Sequence, residues 1–229
     1  MQLYIGNKNY SSWSLRAWLL MRQSGIAFEE VKLRLSFEPG SPFKDKLLQL
    51  APTGKVPLLV DADLAIWDTL AIAEYLAEKY PSLQLWPADP KQRARARCLC
   101  AEMHSGFSAL RNGFPMNIEA SLPDVGARLL RESAAVAQEL DRIVQMWSQQ
   151  LQSSGGPFLF GDFGITDAYF APVCSRMRSY ALPVNACVDS YVDRIFALPA
   201  FESWRQDALA EHDFLDFDEP YRKRAASAG

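Results

Sequence analysis

Two periodicities divide this chain near residue 80, and few architectures carry both. Before that point strand-like and helix-like segments alternate; beyond it the spacing is helical throughout. Residues 2–6 read as a short apolar strand. Residues 15–24 read as a helix, with Leu15, Trp18, Leu19 and Arg22 at i, i+3, i+4, i+7 and Gly25 closing it. Residues 28–35 alternate, Val31, Leu33 and Leu35 on one side and Lys32 and Arg34 on the other. A helix over 42–50 comes next, then strands over 56–60 and 64–66 turned by Asp61-Ala62-Asp63, then a helix over 68–80 stopped by Pro81. The order is βαβ followed by αββα, and a strand, a helix and a returning parallel strand form one right-handed crossover. Residues 81–90 carry three prolines and no periodicity, which predicts a linker. Long amphipathic helices are expected over 91–112 and 124–152, and shorter ones over 165–180, 186–197 and 199–210. The basic, small-residue-rich tail after Pro220 is expected to fray. The division is an α/β domain at 1–80, a linker at 81–90 and an all-helical domain at 91–229.

Composition narrows the function. With 229 residues the chain can bury a large core, and a net charge of −3 gives no electrostatic reason to expect nucleic acid. The most apolar early stretch, 13–21, is broken by Arg16 and is too short to span a bilayer. No basic region precedes an apolar run at the start, so no export signal is expected and the location reads as cytoplasmic. The four cysteines, Cys98, Cys100, Cys174 and Cys187, include no CxxC pair. Reduced, buried or half-buried thiols are expected, with no metal site.

Three local features need one explanation. Asn9-Tyr10-Ser11-Ser12-Trp13-Ser14 sits between a strand and a helix. A serine there is a good N-cap, and helix-end amides with a hydroxyl would equally stabilise a sulfur anion. Ala51-Pro52-Thr53-Gly54-Lys55-Val56-Pro57 opens a strand. Pro57 fits an edge position, and a cis Val56-Pro57 bond would instead present the Val56 backbone to a peptide. Trp67-Asp68-Thr69-Leu70-Ala71-Ile72 opens a helix. Asp68 or Thr69 can cap it; free amides there also suit a carboxylate, and the Asp68 carboxylate suits an ammonium group. A ligand with a thiol, a carboxylate and an ammonium group satisfies all three, and glutathione has those groups.

This succession resembles the N-terminal pattern of cytosolic glutathione transferases, and the segment Tyr10 to Arg16 looks like the serine loop of the zeta class and its bacterial relatives. The resemblance implies a thioredoxin-like first domain on an all-helical second one. It also implies an enzyme with glutathione as co-substrate, a small electrophile as its partner substrate, and a homodimer. Ser11 would hydrogen-bond the glutathione sulfur, with Ser12 and Ser14 alongside. Lys55, Val56 and a cis Pro57 would pair with the peptide, and Asp68 and Thr69 would hold the γ-glutamyl end. Ser11 and Ser14 stand where thioredoxin-like relatives have the CxxC pair.

In the second half, Phe163-Gly164-Ile165-Thr166-Asp167-Ala168 is similar to the family's capping box and staple, with Gly164 where Ser or Thr is usual. The stretch from Ser105 to Asn112 is similar to a zeta segment facing the pocket, which makes Ser108, Arg111 and Asn112 candidates for an acidic second substrate; a solvated helix face is the alternative. Trp13 replaces the zeta loop cysteine, and Pro42 precedes Phe43 where zeta enzymes have glutamine. Conjugation therefore stands as the first reading. A zeta-like cis–trans isomerase of the maleylacetoacetate type and a non-catalytic binding module are the others. His104 reads as a structural histidine and His212 as incidental. Lys91, Arg93, Arg95 and Arg97 read as a solvated or subunit-facing surface. Phe114, Met116 and Trp204 read as core, with an apolar pocket as the alternative.

Overall fold

A four-stranded sheet begins the structure, a computed structural model that describes residues 1–222. Its strands are β1 (Gln2–Ile5), β2 (Glu29–Lys32), β3 (Leu58–Asp61) and β4 (Leu64–Trp67), arranged β2-β1-β3-β4. β2 runs parallel to β1, Val31 opposite Tyr4, while β3 and β4 are antiparallel to their neighbours. Alternation sends Leu3, Ile5 and Leu59 to one face, under α1 (Ser12–Gln23) and α3 (Thr69–Lys79). Tyr4 and Leu58 point to the other face, where they meet Phe43 and Leu47 of α2 (Pro42–Leu48). The helical half consists of α4 (Pro90–Ser105), α5 (Ser108–Gly113), α6 (Pro123–Glu132), α7 (Ala134–Ser154), α8 (Ile165–Ser179), α9 (Ala186–Phe196) and α10 (Pro199–Ala210). No helix among the described residues is long and apolar enough to cross a membrane.

One core joins the halves. Every residue of α1 from Ser14 to Met21 is buried, because the helix has the sheet and α3 on one side and α8 and α10 on the other. A helix covered all round needs an apolar surface all round, and Leu15, Ala17, Trp18, Leu19, Leu20 and Met21 supply it. α8 is likewise buried without a break from Ile165 to Met177. Lys8 ties the same junction: its Nζ lies between the Trp18 and Trp204 rings, 4.9 and 5.3 Å from their centroids, and pairs with Glu30 at 2.9 Å and Asp207 at 2.7 Å. Leu85 and Trp86, within the expected linker, are buried in this core as well.

Several elements differ from the sequence reading. The 91–112 helix is two, because Gly106 is extended and Phe107 takes φ 55°. A side chain at 106 would place its Cβ 2.8 Å from the Glu102 carbonyl oxygen, so glycine permits this break. Glu139 of α7 then accepts from the amides of Ala109 and Leu110 at 3.3 and 2.7 Å, capping the new helix from outside. The 124–152 helix also breaks, at Ser133, whose hydroxyl caps α7 by accepting from Val136 N–H at 3.4 Å. The second strand stops at Lys32, earlier than the alternation to Leu35 implied. Cys100 and Cys174 are buried as expected, whereas Cys98 and Cys187 are exposed. The capping motif forms through Asp167, which accepts from Gly164 N–H at 3.0 Å. A Cβ at 164 would approach the Leu85 carbonyl oxygen to 2.9 Å, which accounts for glycine at this position.

The end of the chain crosses back to the first half. Asp213 accepts from Asn7 Nδ2 at 3.0 Å and from Arg34 Nε, and Leu215, 2% exposed, completes the small core of Tyr4, Phe43, Leu47 and Leu58. Phe217 meets Phe37 at 5.0 Å, the Glu219 carboxylate accepts from the Tyr10 hydroxyl at 2.6 Å, and Tyr221 donates to the Gly113 carbonyl at 2.8 Å. The expected fraying thus does not apply at Tyr221, and residues 223–229 of that tail lie outside the described residues. Leu215→Ala should lower stability by about 2–4 kcal/mol, the usual cost of emptying a buried leucine site, read as a shift in the urea unfolding midpoint.

Candidate active site

A turn of buried polar residues presents the serine loop. Asn7, Lys8 and Asn9 are each 2–3% exposed, and side chains rather than water satisfy the surrounding backbone. Asn7 Oδ1 accepts from Leu35 N–H at 2.9 Å, Glu211 accepts from Lys8 and Asn9 N–H at 2.8 and 3.2 Å, and Asn9 Oδ1 accepts from Glu119 N–H at 2.9 Å. Asn9 Nδ2 also donates to Asn117 Oδ1 at 3.1 Å. The first turn of α1 is therefore held from both halves of the chain. The signal that could have revealed these residues is the run of amide and basic side chains directly after an apolar strand.

The three serines occupy different positions. Ser11 is the N-cap, its Oγ accepting from Ser14 N–H at 3.4 Å and lying 2.7 Å from Ser14 Oγ. Ser14 is 0% exposed, and its Oγ accepts from Gly6 N–H at 3.1 Å. Ser14 thus stands behind Ser11 as its partner and does not reach the cleft. Ser12 is half-buried, and its hydroxyl has no hydrogen-bond partner among the described residues.

Ser11 and Ser12 open onto a cleft of about 620 Å³ that brings residues from both halves of the chain together. Lys55 and Val56 form one wall, just before the Val56–Pro57 bond, which is cis; Pro57 itself is buried and not part of the lining. Arg111 and Asn112 of α5 and Arg176 of α8 form the opposite wall, with Met116 beside them. Phe217 and Asp218 of the returning chain end close the mouth. Ser108 begins α5 on its exposed side and is not part of the lining. Phe114 and Trp204 are core residues at 0% exposure.

Three guanidinium groups lie around this cleft without a carboxylate in ion-pair contact among the described residues. Arg16 donates to the Tyr169 carbonyl at 3.1 Å and lies between the rings of Trp13 and Tyr169, 4.2 and 4.5 Å from their centroids. Arg111 reaches the His104 and Gly106 carbonyls, both at 3.4 Å, and stacks on Trp13 at 4.8 Å. Arg176 donates to the Phe114 carbonyl at 2.7 Å and the Pro172 carbonyl at 3.1 Å. Burial, with repulsion from Arg16 and Arg111, lowers the Arg176 pKa to about 9; burial also lowers Arg16 to about 10, where Arg111 adds repulsion. All remain cationic at neutral pH; Arg111 and Arg176 line the cleft and attract anions there, while Arg16 is not part of the lining. Arg16 and Arg176 were missing from the expected site; each sits within a run of apolar or small residues of a buried helix, which is the signal available for them.

The start of α3 lies beside the cleft rather than in its lining. Asp68 is exposed, caps α3 by accepting from Leu70 N–H at 2.8 Å, and lies 3.4 Å from His104 Nε2. Thr69 is buried, its hydroxyl 2.6 Å from the Tyr169 hydroxyl, which in turn meets His104 Nδ1 at 2.9 Å. The Thr69 hydroxyl is therefore engaged, and only its backbone amide remains to offer a ligand.

The mixed sheet, its cis proline and a helical half reached through one shared helix define a class, and the chain belongs to the glutathione S-transferase family. The model of the glutathione S-transferase N-terminal domain matches residues 10–79, and that of the C-terminal domain matches residues 123–212. Among individual proteins, maleylacetoacetate isomerase of Pseudomonas aeruginosa is 27% identical over 212 residues, 88% of this chain and 93% of that protein. A stringent starvation protein A homolog of Histophilus somni is 27% identical over 187 residues, 80% of each. A glutathione transferase homolog from Burkholderia gl BGR1, solved with bound glutathione, superimposes with a TM-score of 0.67 at 26% identity, covering 91% of this chain and 98% of that one.

Removing the buried Ser14 hydroxyl should act on the fold. Ser14→Ala leaves the Gly6 amide without its acceptor and should cost about 1–3 kcal/mol in denaturant unfolding, whereas Ser12→Ala should stay within about 0.5 kcal/mol of the parent.

Proposed function

We propose that the chain is a glutathione transferase that adds the glutathione thiolate to a small electrophile. The observation that carries this reading is the position of Ser11 and Ser12: two hydroxyls at the amide end of a 12-residue helix, facing a cleft whose far wall belongs to the helical half. Free thiols titrate near ~8.5, and helix-end amides with a hydroxyl donor favour the anion. Ser14 can aid this without touching sulfur. Its Oγ accepts from Gly6 N–H and from the Ser11 hydroxyl, which fixes the Ser11 side chain at the helix start, where a bound thiolate would take over the Ser11 proton. The cysteinyl backbone would pair with Val56, whose own backbone groups have no partner among the described residues. Lys55 can meet a carboxylate end, and Asp68 with the Thr69 amide can take the γ-glutamyl end. Assembly as a homodimer belongs to the same reading.

Wild-type protein should be retained by immobilised glutathione and released by the free tripeptide. Ser11→Ala should lower kcat/KM with a neutral aryl halide by about 10–100-fold, the size of a hydrogen bond to a charged group. Parental turnover in both Ser11→Ala and Ser12→Ala would remove the serine loop from the chemistry.

A second reading is supported by the unpaired Arg111 and Arg176. A zeta-like isomerase would add the thiolate to a carboxylate-bearing cis-alkene, allow rotation about the resulting single bond, and expel the thiolate again. Arg176→Ala should then lower kcat/KM for such a dicarboxylate by at least about 30-fold, by analogy with the cost of losing a charge-assisted contact, and affect a neutral aryl halide far less. Equal losses on both substrates would count against it. The stringent starvation protein A homologs among the relatives bring in the third reading, a binding module without turnover; the intact serine loop argues for chemistry.

A further inference from the structure

The lining of the cleft includes a carboxylate with no hydrogen bond or ion pair among the described residues. Asp218 ends the short turn Asp216–Asp218, and its backbone N–H is bound to the Leu215 carbonyl at 2.9 Å. Its position is fixed from both sides, because Leu215 is anchored in the small core and Glu219 is held by Tyr10 at 2.6 Å and by Arg222 at 3.1 Å. The two neighbouring carboxylates therefore differ. Glu219 is paired, whereas the Asp218 side chain has no hydrogen bond and no ion pair within contact distance among the described residues, although it lines the same cleft as Arg176 and Arg111. Asp218 and Arg176 line the same cleft without an ion pair between them, and each still feels the charge of the other. Burial holds the Asp218 carboxyl up at about 6 in spite of that attraction and with repulsion from Glu219 adding to it, as expected for an acid short of donors.

We propose that Asp218 sets the charge preference of the second-substrate pocket: it is a carboxylate of the chain itself, in the same cleft as Arg176, against which an anionic substrate must compete. The inference rests on the reading of this cleft as the second-substrate site. A neutral electrophile meets a pocket whose charge is partly balanced. An acidic one gains Arg176 and Arg111 but is repelled by Asp218, so its binding is weaker than the arginines alone would give. Asp218 acts here by its charge, and an isosteric amide removes that charge while keeping the side chain's shape.

The test compares wild-type protein with Asp218→Asn and Asp218→Ser in two independent measurements. In calorimetry with fumarate as the anionic probe, both variants should bind about ten-fold more tightly than the parent, and the gain should shrink as salt is raised. Arg176→Ala should abolish the gain when combined with Asp218→Asn. In turnover, the ratio of kcat/KM for a carboxylate-bearing electrophile to that for a neutral aryl halide should rise by a similar factor. Fumarate affinity equal to the parent in both folded variants, with melting curves intact, overturns the proposal even if glutathione transfer is robust. If the protein turns over neither electrophile, the transferase reading fails on its own, and the fumarate measurement still decides the role of Asp218.

Discussion

Arg16 and its helix set the terms for the rest of the molecule. α1 is covered by the sheet on one side and by α8 on the other, and a guanidinium 3% exposed lies in the middle of it, bound to a carbonyl of the opposite half. Moving α1 relative to α8 would strip that charge of its carbonyl and its two aromatic faces in a place where water cannot replace them. The two halves are consequently set against each other at the helix whose amide end carries the serines. The catalytic geometry proposed for Ser11 and Ser12 is a by-product of this packing, reinforced by Lys8 and the buried asparagines of the preceding turn.

The cleft that results is assembled from segments far apart in sequence, and its chemistry is divided accordingly. The first half contributes hydroxyls, helix-end amides and an unengaged strand entry at Val56. The second contributes cations held on carbonyl oxygens and aromatic rings, with no carboxylate in ion-pair contact among the described residues. Charges kept in this way are desolvated yet uncompensated, which makes them available to a ligand. Trp13, standing where the zeta class has a cysteine, is the surface on which Arg16 and Arg111 both stack. The departure from the family pattern thus has a structural role here, whatever its effect on the reaction.

Much of this was legible in the sequence where the physics is local. The spacing of Leu15, Trp18 and Leu19 and the punctuation by Gly25 and Pro81 are short-range signals, and α1, α3 and the βαβ-then-αββα order agree with them, whereas the alternation through Leu35 overran a strand that ends at Lys32. The break at Phe107 was not legible, because it depends on a partner distant in sequence and on a tight approach: Glu139 caps the new helix, and Gly106 admits the Glu102 carbonyl; the break at Ser133 has only a local serine cap to mark it. In the site, the serine loop and the Val56–Pro57 segment announced themselves by residue type. Ser14 and Ser11 look alike in a string of letters, and only the Gly6 amide separates their positions. The contributions of Arg176 and Asp218 arise from long-range closure that no spacing rule encodes.

Leu215 has a consequence for how the chain comes into being. The sheet face of Tyr4 and Leu58, packed on Phe43 and Leu47 of α2, is finished by Leu215, which follows the whole helical half in sequence. As the polypeptide leaves the ribosome from its amino end, that apolar surface stays partly open to solvent through the synthesis of the entire helical half. Loop closure over such a separation comes late and slows assembly. The small core on this side of the sheet is therefore completed only when Leu215 arrives, and until then α2 covers the strands without that last apolar contact.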